Sequence, residues 1–352
     1  MWSEILVGYG IFILEILTIL LIIGAIIFAI IALKQKKNAI HGELELTDLA
    51  KEFEENSKKV RDFYLTEDEL KTQEKAEKKA EKAKAKEQMA KRKSGELLEK
   101  EIKPTLYVLD FKGDVQASAT GALREEISTI LSVAKPEDEV LLRLESPGGV
   151  VHGYGLAASQ LARLKQHGIK LTVAVDKVAA SGGYMMACVA DKIVSAPFAI
   201  IGSVGVVAQV PNIHRLLKKH DVDVDVMTAG EFKRTVTVLG ENTEKGKQKF
   251  QQELEETHEL FKQFVAQNRP HLDVNQIATG EHWFGQQALN LKLVDEIETS
   301  DDLILQAIKE KSVLAVHYKQ KKSILQKLGK QAEESADNIV LNWTKFNPRT
   351  YF

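Results

Sequence analysis

Between Glu15 and Lys34 lie eighteen consecutive uncharged residues, Ile16 to Leu33, nearly all of them apolar. A water-soluble domain could not carry such a run on its surface without a large exposed apolar patch. As an α-helix rising about 1.5 Å per residue it spans roughly 27 Å, close to the thickness of a bilayer core. Ile5, Leu6, Val7, Ile11 and Phe12 extend it upstream, interrupted by Glu15. That acid reads as an interfacial group rather than a functional intramembrane carboxylate. A cleaved signal peptide would need a basic start and a shorter apolar stretch, whereas this chain begins Met1-Trp2-Ser3-Glu4. Residues 1–38 are therefore expected to form a retained transmembrane anchor. Lys34, Lys36 and Lys37 follow the run and no Lys or Arg precedes it. The positive-inside rule then places the rest of the chain in the cytoplasm, although a large domain can override such flanking charges and a periplasmic placement stays open.

Residues 39–103 read as a charged helical connector. Lys71 to Lys93 is built almost entirely of Lys, Glu, Ala and Gln, all strong helix formers. With little apolar stripe it cannot bury a face. A solvated helix, or a partly disordered one, is the reading, in preference to a lipid- or RNA-binding segment at Ala83–Lys93. The whole chain has 352 residues and a formal net charge of −2, which argues against nucleic acid as a partner. Cys188 is the single cysteine, so an internal disulfide framework and a cysteine-based zinc site are both excluded.

At Pro104 the composition becomes that of a globular domain, expected over 104–300. Short apolar runs at Thr105–Phe111, Glu139–Leu144, Ile169–Val175, Lys192–Ser195 and Val222–Met227 read as strands. Helical patterns at Gly121–Leu131, His152–His167, Tyr184–Ala190, Ile213–Lys219 and Lys245–Asn268 alternate with them. This alternation predicts an α/β fold of βαβ-type units. Residues 301–352 show a weak helical pattern and receive no role.

Three segments could carry chemistry. Ser146-Pro147-Gly148-Gly149 follows a strand, where α/β folds place their sites, and its glycines let backbone N–H groups approach a ligand. Ala180-Ser181-Gly182-Gly183-Tyr184 stands between a strand and a helix, where a serine is most simply an N-cap. Gly230-Glu231-Phe232-Lys233-Arg234 follows an apolar run, and its lysine taken alone is an exposed side chain. Ser203, in Gly202-Ser203-Val204-Gly205, is most simply a turn serine. None of the nine histidines lies in a recognisable triad motif; His152 is nearest to the S-P-G-G turn and reads as a helix-start residue.

Together, in this order and spacing, the four motifs resemble the signal peptide peptidase A / SohB family of membrane serine peptidases. The N-terminal anchor, the connector and the single catalytic domain are those of its SohB branch. The resemblance implies a Clp protease/crotonase-like fold and a serine–lysine dyad. Ser181 would be the nucleophile, Lys233 the general base and Ser203 the group orienting the lysine. Backbone N–H groups of Gly148 and Gly149, with Gly182, would form an oxyanion hole. It further implies peptide or membrane-protein-fragment substrates, the bacterial inner membrane, no metal or cofactor, and a homo-oligomer in which Ser181 and Lys233 can belong to neighbouring subunits. The chemistry agrees: serine needs a base, and a lysine, with a reference pKa of about 10.4, serves as one only when burial or positive neighbours such as Arg234 hold it neutral. A non-catalytic oligomeric scaffold and a crotonase-type acyl-CoA enzyme are the alternatives.

Overall fold

The structure is a computed structural model. It describes residues 16–18, 42–66, scattered positions between 68 and 86, and 103–319. Apart from helical residues 16–18, the expected anchor lies outside the described residues, as does most of the Lys/Glu/Ala segment. Among the described residues no helix is long and apolar enough to cross a membrane. Contacts divide the chain into one compact unit of residues 45–317 and another of 1–44 with 318–352. The first carries the candidate site described below.

Strands β1 (Glu43–Asp48), β2 (Thr105–Lys112), β3 (Glu139–Glu145), β4 (Lys170–Val175), β6 (Lys192–Ser195), β9 (Glu296–Ile297) and β10 (Ser312–Lys319) form one sheet in the order β1-β10-β2-β3-β4-β6-β9. From β10 to β9 the neighbours are parallel. Parallel strands are covered on both faces. Accordingly Leu106, Tyr107, Val108, Leu109 and Phe111 of β2 are all buried. Helices α2 (Thr120–Val133) and α3 (Val151–Gln166) pack on each other. The stripe Tyr154, Ala157, Ala158, Leu161, Leu164 is the buried face of α3, at the spacing a helix requires to present one side. Another core layer joins Leu106, Val108, Leu141, Ala174 and Val194 to Ile304 and Val313. The first five come from the sheet's centre, Ile304 from helix α9 (Ser300–Glu310) and Val313 from β10.

Two sequence expectations change here. Residues 301–319, given no role, supply most of α9 and the whole of β10, whose Ser312 is in register with Thr105 of β2. The connector is not solvated helix throughout: residues 43–48 (ELELTD) are an edge strand, followed by helix α1 (Leu49–Asp62), which Asp48 caps by accepting from the N–H of Lys51. Alternation of Glu and Leu with period two outweighs the helix propensity of the same residues.

A second, three-stranded sheet was not foreseen. It comprises β5 (Val178–Ala180), β7 (Ile200–Gly202) and β8 (His282–Phe284). At three residues each, these strands are too short to show periodicity. Conversely, Val222–Met227 forms no strand; it is irregular, with Met227 89 % exposed. Its alternating valines have no neighbouring strand to supply ladder hydrogen bonds.

The remaining helices are α4 (Gly182–Ala187), α5 (His214–Lys219), α6 (Glu244–Asn268), α7 (Val274–Ile277) and α8 (Gly285–Asn290). The 25-residue α6 begins at a Thr243 cap. Just past its last turn, Arg269 is 3 % exposed and grips Asp295 at 2.6 and 2.9 Å. Asp295 in turn accepts from the N–H of Ile193, so α6 is tied to the outer strands of the main sheet.

Candidate active site

The site lies where β3 and β4 end. Beyond β3 the chain bridges to the second sheet through Ser146, paired in parallel with Ala179. The N–H of Ser146 donates to Val178 O at 2.8 Å, and the N–H of Ala180 returns to Ser146 O at 3.0 Å. One residue on, the N–H of Ser181 donates to Gly202 O at 2.8 Å, and that of Ser203 to Glu281 O at 2.7 Å. The small sheet thus anchors Ser146, Ser181 and Ser203 through backbone bonds. This is the part of the site that no motif revealed.

Ser181 has φ +52° and ψ −118°, a backbone conformation that costs an L-residue about 1–3 kcal/mol. Among the described residues five non-glycines have positive φ, and two of them are Ser181 and Ser203. Strain of this kind concentrates at active sites. Ser181 occupies the N-cap position of α4, yet its hydroxyl makes no capping hydrogen bond. The N-cap role is therefore unfilled, and the Oγ is not committed to the helix. The turn lies directly against it: a Cβ on Gly148, at φ +92°, would stand 2.7 Å from Ser181 Cβ. A Cβ on Gly182 would run into the ring of Tyr154.

Tyr154 explains how the turn is held. It is fully buried, and burial pushes its phenol above the ordinary range. Its hydroxyl donates to Asp114 O at 2.8 Å. Its single proton is thereby used, so Ser146 Oγ, 2.6 Å away, donates to it. Ser146 Oγ then accepts the N–H of Gly148 at 3.1 Å. Such a relay polarises each member in turn. It also engages Gly148 N–H. Gly149 N–H has no acceptor among the described residues, and Gly182, the first residue of α4, has no intrahelical acceptor for its own.

A cavity of 790 Å³ opens here, lined by Gly148, Gly149, Ser181, Gly182 and Ser203, with Met185, Val206, Val207, Phe261, Thr257 and His258 among its other walls. Five of the six sequence-predicted site residues thus share one cavity. Lys233 does not line it and is exposed. Its segment rests on the start of α6. Lys245 and Lys249 Nζ lie 5.8 and 5.7 Å from the Phe232 ring centre, and Glu231 pairs with Lys245. His258, which does reach the cavity, is about 14–20 Å further along that helix. Within one chain, therefore, Ser181 and Lys233 are not brought together. His152 is exposed and absent from the cavity wall. Cys188 is buried, with its thiol pushed up to about 12 by desolvation, which leaves it inert as a nucleophile.

Sequence reasoning missed Tyr154 and His258. Nothing in the motif spacing marks Tyr154. His258 had a signal: it interrupts the apolar stripe Leu254, Phe261, Val265 on α6, the face on which a histidine is least expected.

Replacing Tyr154 with Phe is expected to strand Ser146 Oγ and Asp114 O. The unfolding free energy should fall by about 1–3 kcal/mol, read from the denaturant midpoint at constant slope. Peptidase turnover should fall more than KM rises, because the turn shifts while the cavity walls stay.

A carboxyl-edge cavity, a strained serine in an uncapped position and a glycine turn presenting backbone N–H groups form a site suited to a hydrolase. Comparison with known sequences narrows this class to the peptidases. The Peptidase family S49 N-terminal description matches residues 4–161, and Peptidase family S49 matches residues 163–314. The chain is 71% identical over 351 residues to "Probable protease SohB" of Haemophilus influenzae, covering 100% of this chain and 99% of that protein. It is 57% identical over 246 residues to "Probable protease SohB" of Buchnera aphidicola subsp. Acyrthosiphon pisum, covering 70% and 73% of the two chains. More distantly, "Protease 4" of H. influenzae is 27% identical over 199 residues, 55% of this chain and 32% of that one. The chain belongs to peptidase family S49 and is of the SohB type.

Proposed function

We propose that this chain is a membrane-anchored serine endopeptidase of the bacterial inner membrane that assembles its Ser181–Lys233 dyad between copies of itself. The observation that carries the reading is the uncommitted, strained Ser181 facing a cavity shared with Ser203 and the Gly148–Gly149 turn. The parallel main sheet with a small second sheet at its carboxyl edge suits a Clp protease/crotonase-like fold.

In this mechanism Lys233 Nζ takes the proton from Ser181 Oγ as the oxygen attacks the scissile carbonyl. The N–H groups of Gly149 and Gly182 receive the oxyanion, a contribution of about 3–4 kcal/mol per donor. The lysine returns its proton to the departing amine, leaving an acyl-serine that water hydrolyses. Gly148 keeps the turn in shape through its bond to Ser146. Ser203 accepts a hydrogen bond from the lysine and fixes its direction.

Assembly is supported by surface chemistry. The segment that carries Lys233 exposes Val222, Val226, Met227, Phe232, Val238 and Leu239, apolar side chains that a monomer seldom leaves together in water. Each chain holds a serine lacking its base and a lysine lacking its nucleophile. A head-to-tail contact satisfies both, and repeated around an axis it closes a ring. The anchor at 16–33 and the lysines after it keep this assembly on the cytoplasmic face. The substrates are peptides or membrane-protein fragments.

A fluorophosphonate probe should label the full-length, detergent-solubilised protein, and peptide mapping should place the adduct on Ser181. Labelling at another residue, or none in the assembled protein, would refute the assignment.

A further inference from the structure

We propose that the start of α6 positions the general base: Gly246 and Asn242 fix the backbone on which Lys233 stands, and so fix where its amine meets Ser181. The inference rests on the dyad reading above and deepens it by naming the residues that hold the base in place.

Lys233 is exposed. A long side chain on a loose loop makes a poor base, because misplacing a reacting group by about 1 Å can cost about 100-fold in rate. This loop is tied on both sides of the lysine. Upstream, Glu231 pairs with Lys245, and Lys245 and Lys249 stand over the Phe232 ring. These contacts are exposed and hold weakly. Downstream the ties go to the backbone. Asn242 Oδ1 accepts the N–H of Thr237 at 2.8 Å, while its Nδ2 donates to Thr237 O at 3.0 Å. Asn212 Nδ2 donates to the same carbonyl at 2.8 Å and to Gly240 O at 3.0 Å. A side-chain amide can clasp one peptide group this way because it carries a donor and an acceptor together.

Gly246 carries the argument furthest. It lies in the first turn of α6, where its N–H donates to Thr243 Oγ1 at 3.1 Å. Alanine is the better residue for a helix, and the helical backbone here makes no use of glycine's freedom. The loop does use it: a Cβ on Gly246 would run into Thr235 O. The missing side chain therefore serves the close seating of the Lys233 loop on the helix. Any larger residue pushes that carbonyl, and the lysine just before it, out of place.

The test uses the assembled full-length protein with a fluorogenic peptide. Gly246→Ala should keep the assembly's size and melt no lower than wild type, since alanine's helix propensity offsets the displaced loop. Its kcat should fall about 100-fold with KM within about twofold, and fluorophosphonate capture at Ser181 should slow in parallel, because capture also needs the base. Asn242→Asp keeps the acceptor for Thr237 N–H but sets a carboxylate oxygen against Thr237 O; its kcat should fall at least about tenfold, again at constant KM. Lys247→Ala, in the same turn but paired with Glu244, should stay within about twofold of wild type. In mixtures of Ser181→Ala and Lys233→Ala chains, Gly246→Ala should lower the recovered activity only on the chain that keeps Lys233. A general defect of the fold lowers it from either chain. Wild-type kcat in Gly246→Ala, a loss confined to KM, or equal losses from both chains overturns the proposal. If Gly246→Ala fails to fold, Asn242→Asp decides by the same criteria. Mixtures that recover nothing overturn assembly of the dyad between copies, and kcat, KM and capture in the single variants then decide this inference. A wild-type protein that captures no probe overturns the assignment of Ser181, and this inference with it.

Discussion

Changing Ser181 to alanine abolishes peptide hydrolysis, with kcat falling at least about 10⁴-fold, while the protein stays folded. Losses of this size follow removal of a nucleophile whose partners act as one unit. The fold should survive because the backbone, not the hydroxyl, ties this residue down: its N–H donates to Gly202 O and its C=O accepts from Met185 N–H at 3.0 Å. A second substitution separates strain from chemistry. At φ +52°, ψ −118° alanine is as strained as serine, whereas glycine enters that region freely. Relief of about 1–3 kcal/mol of strain is partly offset by the greater unfolded-state entropy of glycine. Ser181→Gly should therefore be inactive yet about 1 kcal/mol more stable than Ser181→Ala. The check is paired denaturant melts beside steady-state assays. Equal stabilities would mean that the backbone strain is not stored at this residue, and residual hydrolysis would remove Ser181 from the mechanism.

The conformation behind that prediction was not legible in the sequence, although the residue was. Apolar runs ending in S-P-G-G and A-S-G-G-Y mark strand termini because turn residues follow buried β-branched and leucine residues, and the structure places both at the sheet's carboxyl edge. An isolated serine before a helix has an innocent explanation as a cap. What removes that explanation is the lack of a capping bond together with the φ value, and neither leaves a trace in composition. The second sheet was hidden for a similar reason: β5, β7 and β8 owe their existence to pairing between segments far apart in the chain. Val222–Met227 misled in the opposite sense. Alternating valine and aspartate describes a strand with one apolar face. In the single chain that face meets nothing, and Val222 and Val226 remain nearly half exposed. The pattern is correct about the chemistry of the surface and silent about who covers it.

That uncovered surface sets up the second large effect. Lys233→Ala should be as inactive as Ser181→Ala, again with an unchanged melting profile. The side chain is exposed, and only its backbone N–H, bonded to Gly230 O at 3.2 Å, is tied to the loop. Two inactive proteins can nevertheless make an active one if the dyad spans a contact. In a mixed assembly, a Ser181 from a Lys233→Ala chain meets a Lys233 from a Ser181→Ala chain wherever the two are neighbours in the right order. For a 1:1 random mixture in a head-to-tail ring, about one quarter of sites are then complete, and activity should return to about 25% of wild type. Dilution or salt that dissociates the ring should abolish both the recovered and the wild-type activity, since one chain keeps Lys233 beside the first turns of α6 and Ser181 at the cavity. Failure to recover any activity in mixtures shown by size and crosslinking to contain both variants would place the base within the same chain. It would then require the 230–234 loop to leave its seat on Lys245 and Lys249 and cross to the cavity. Recovery at the expected fraction would instead fix the unit of function as the interface between copies.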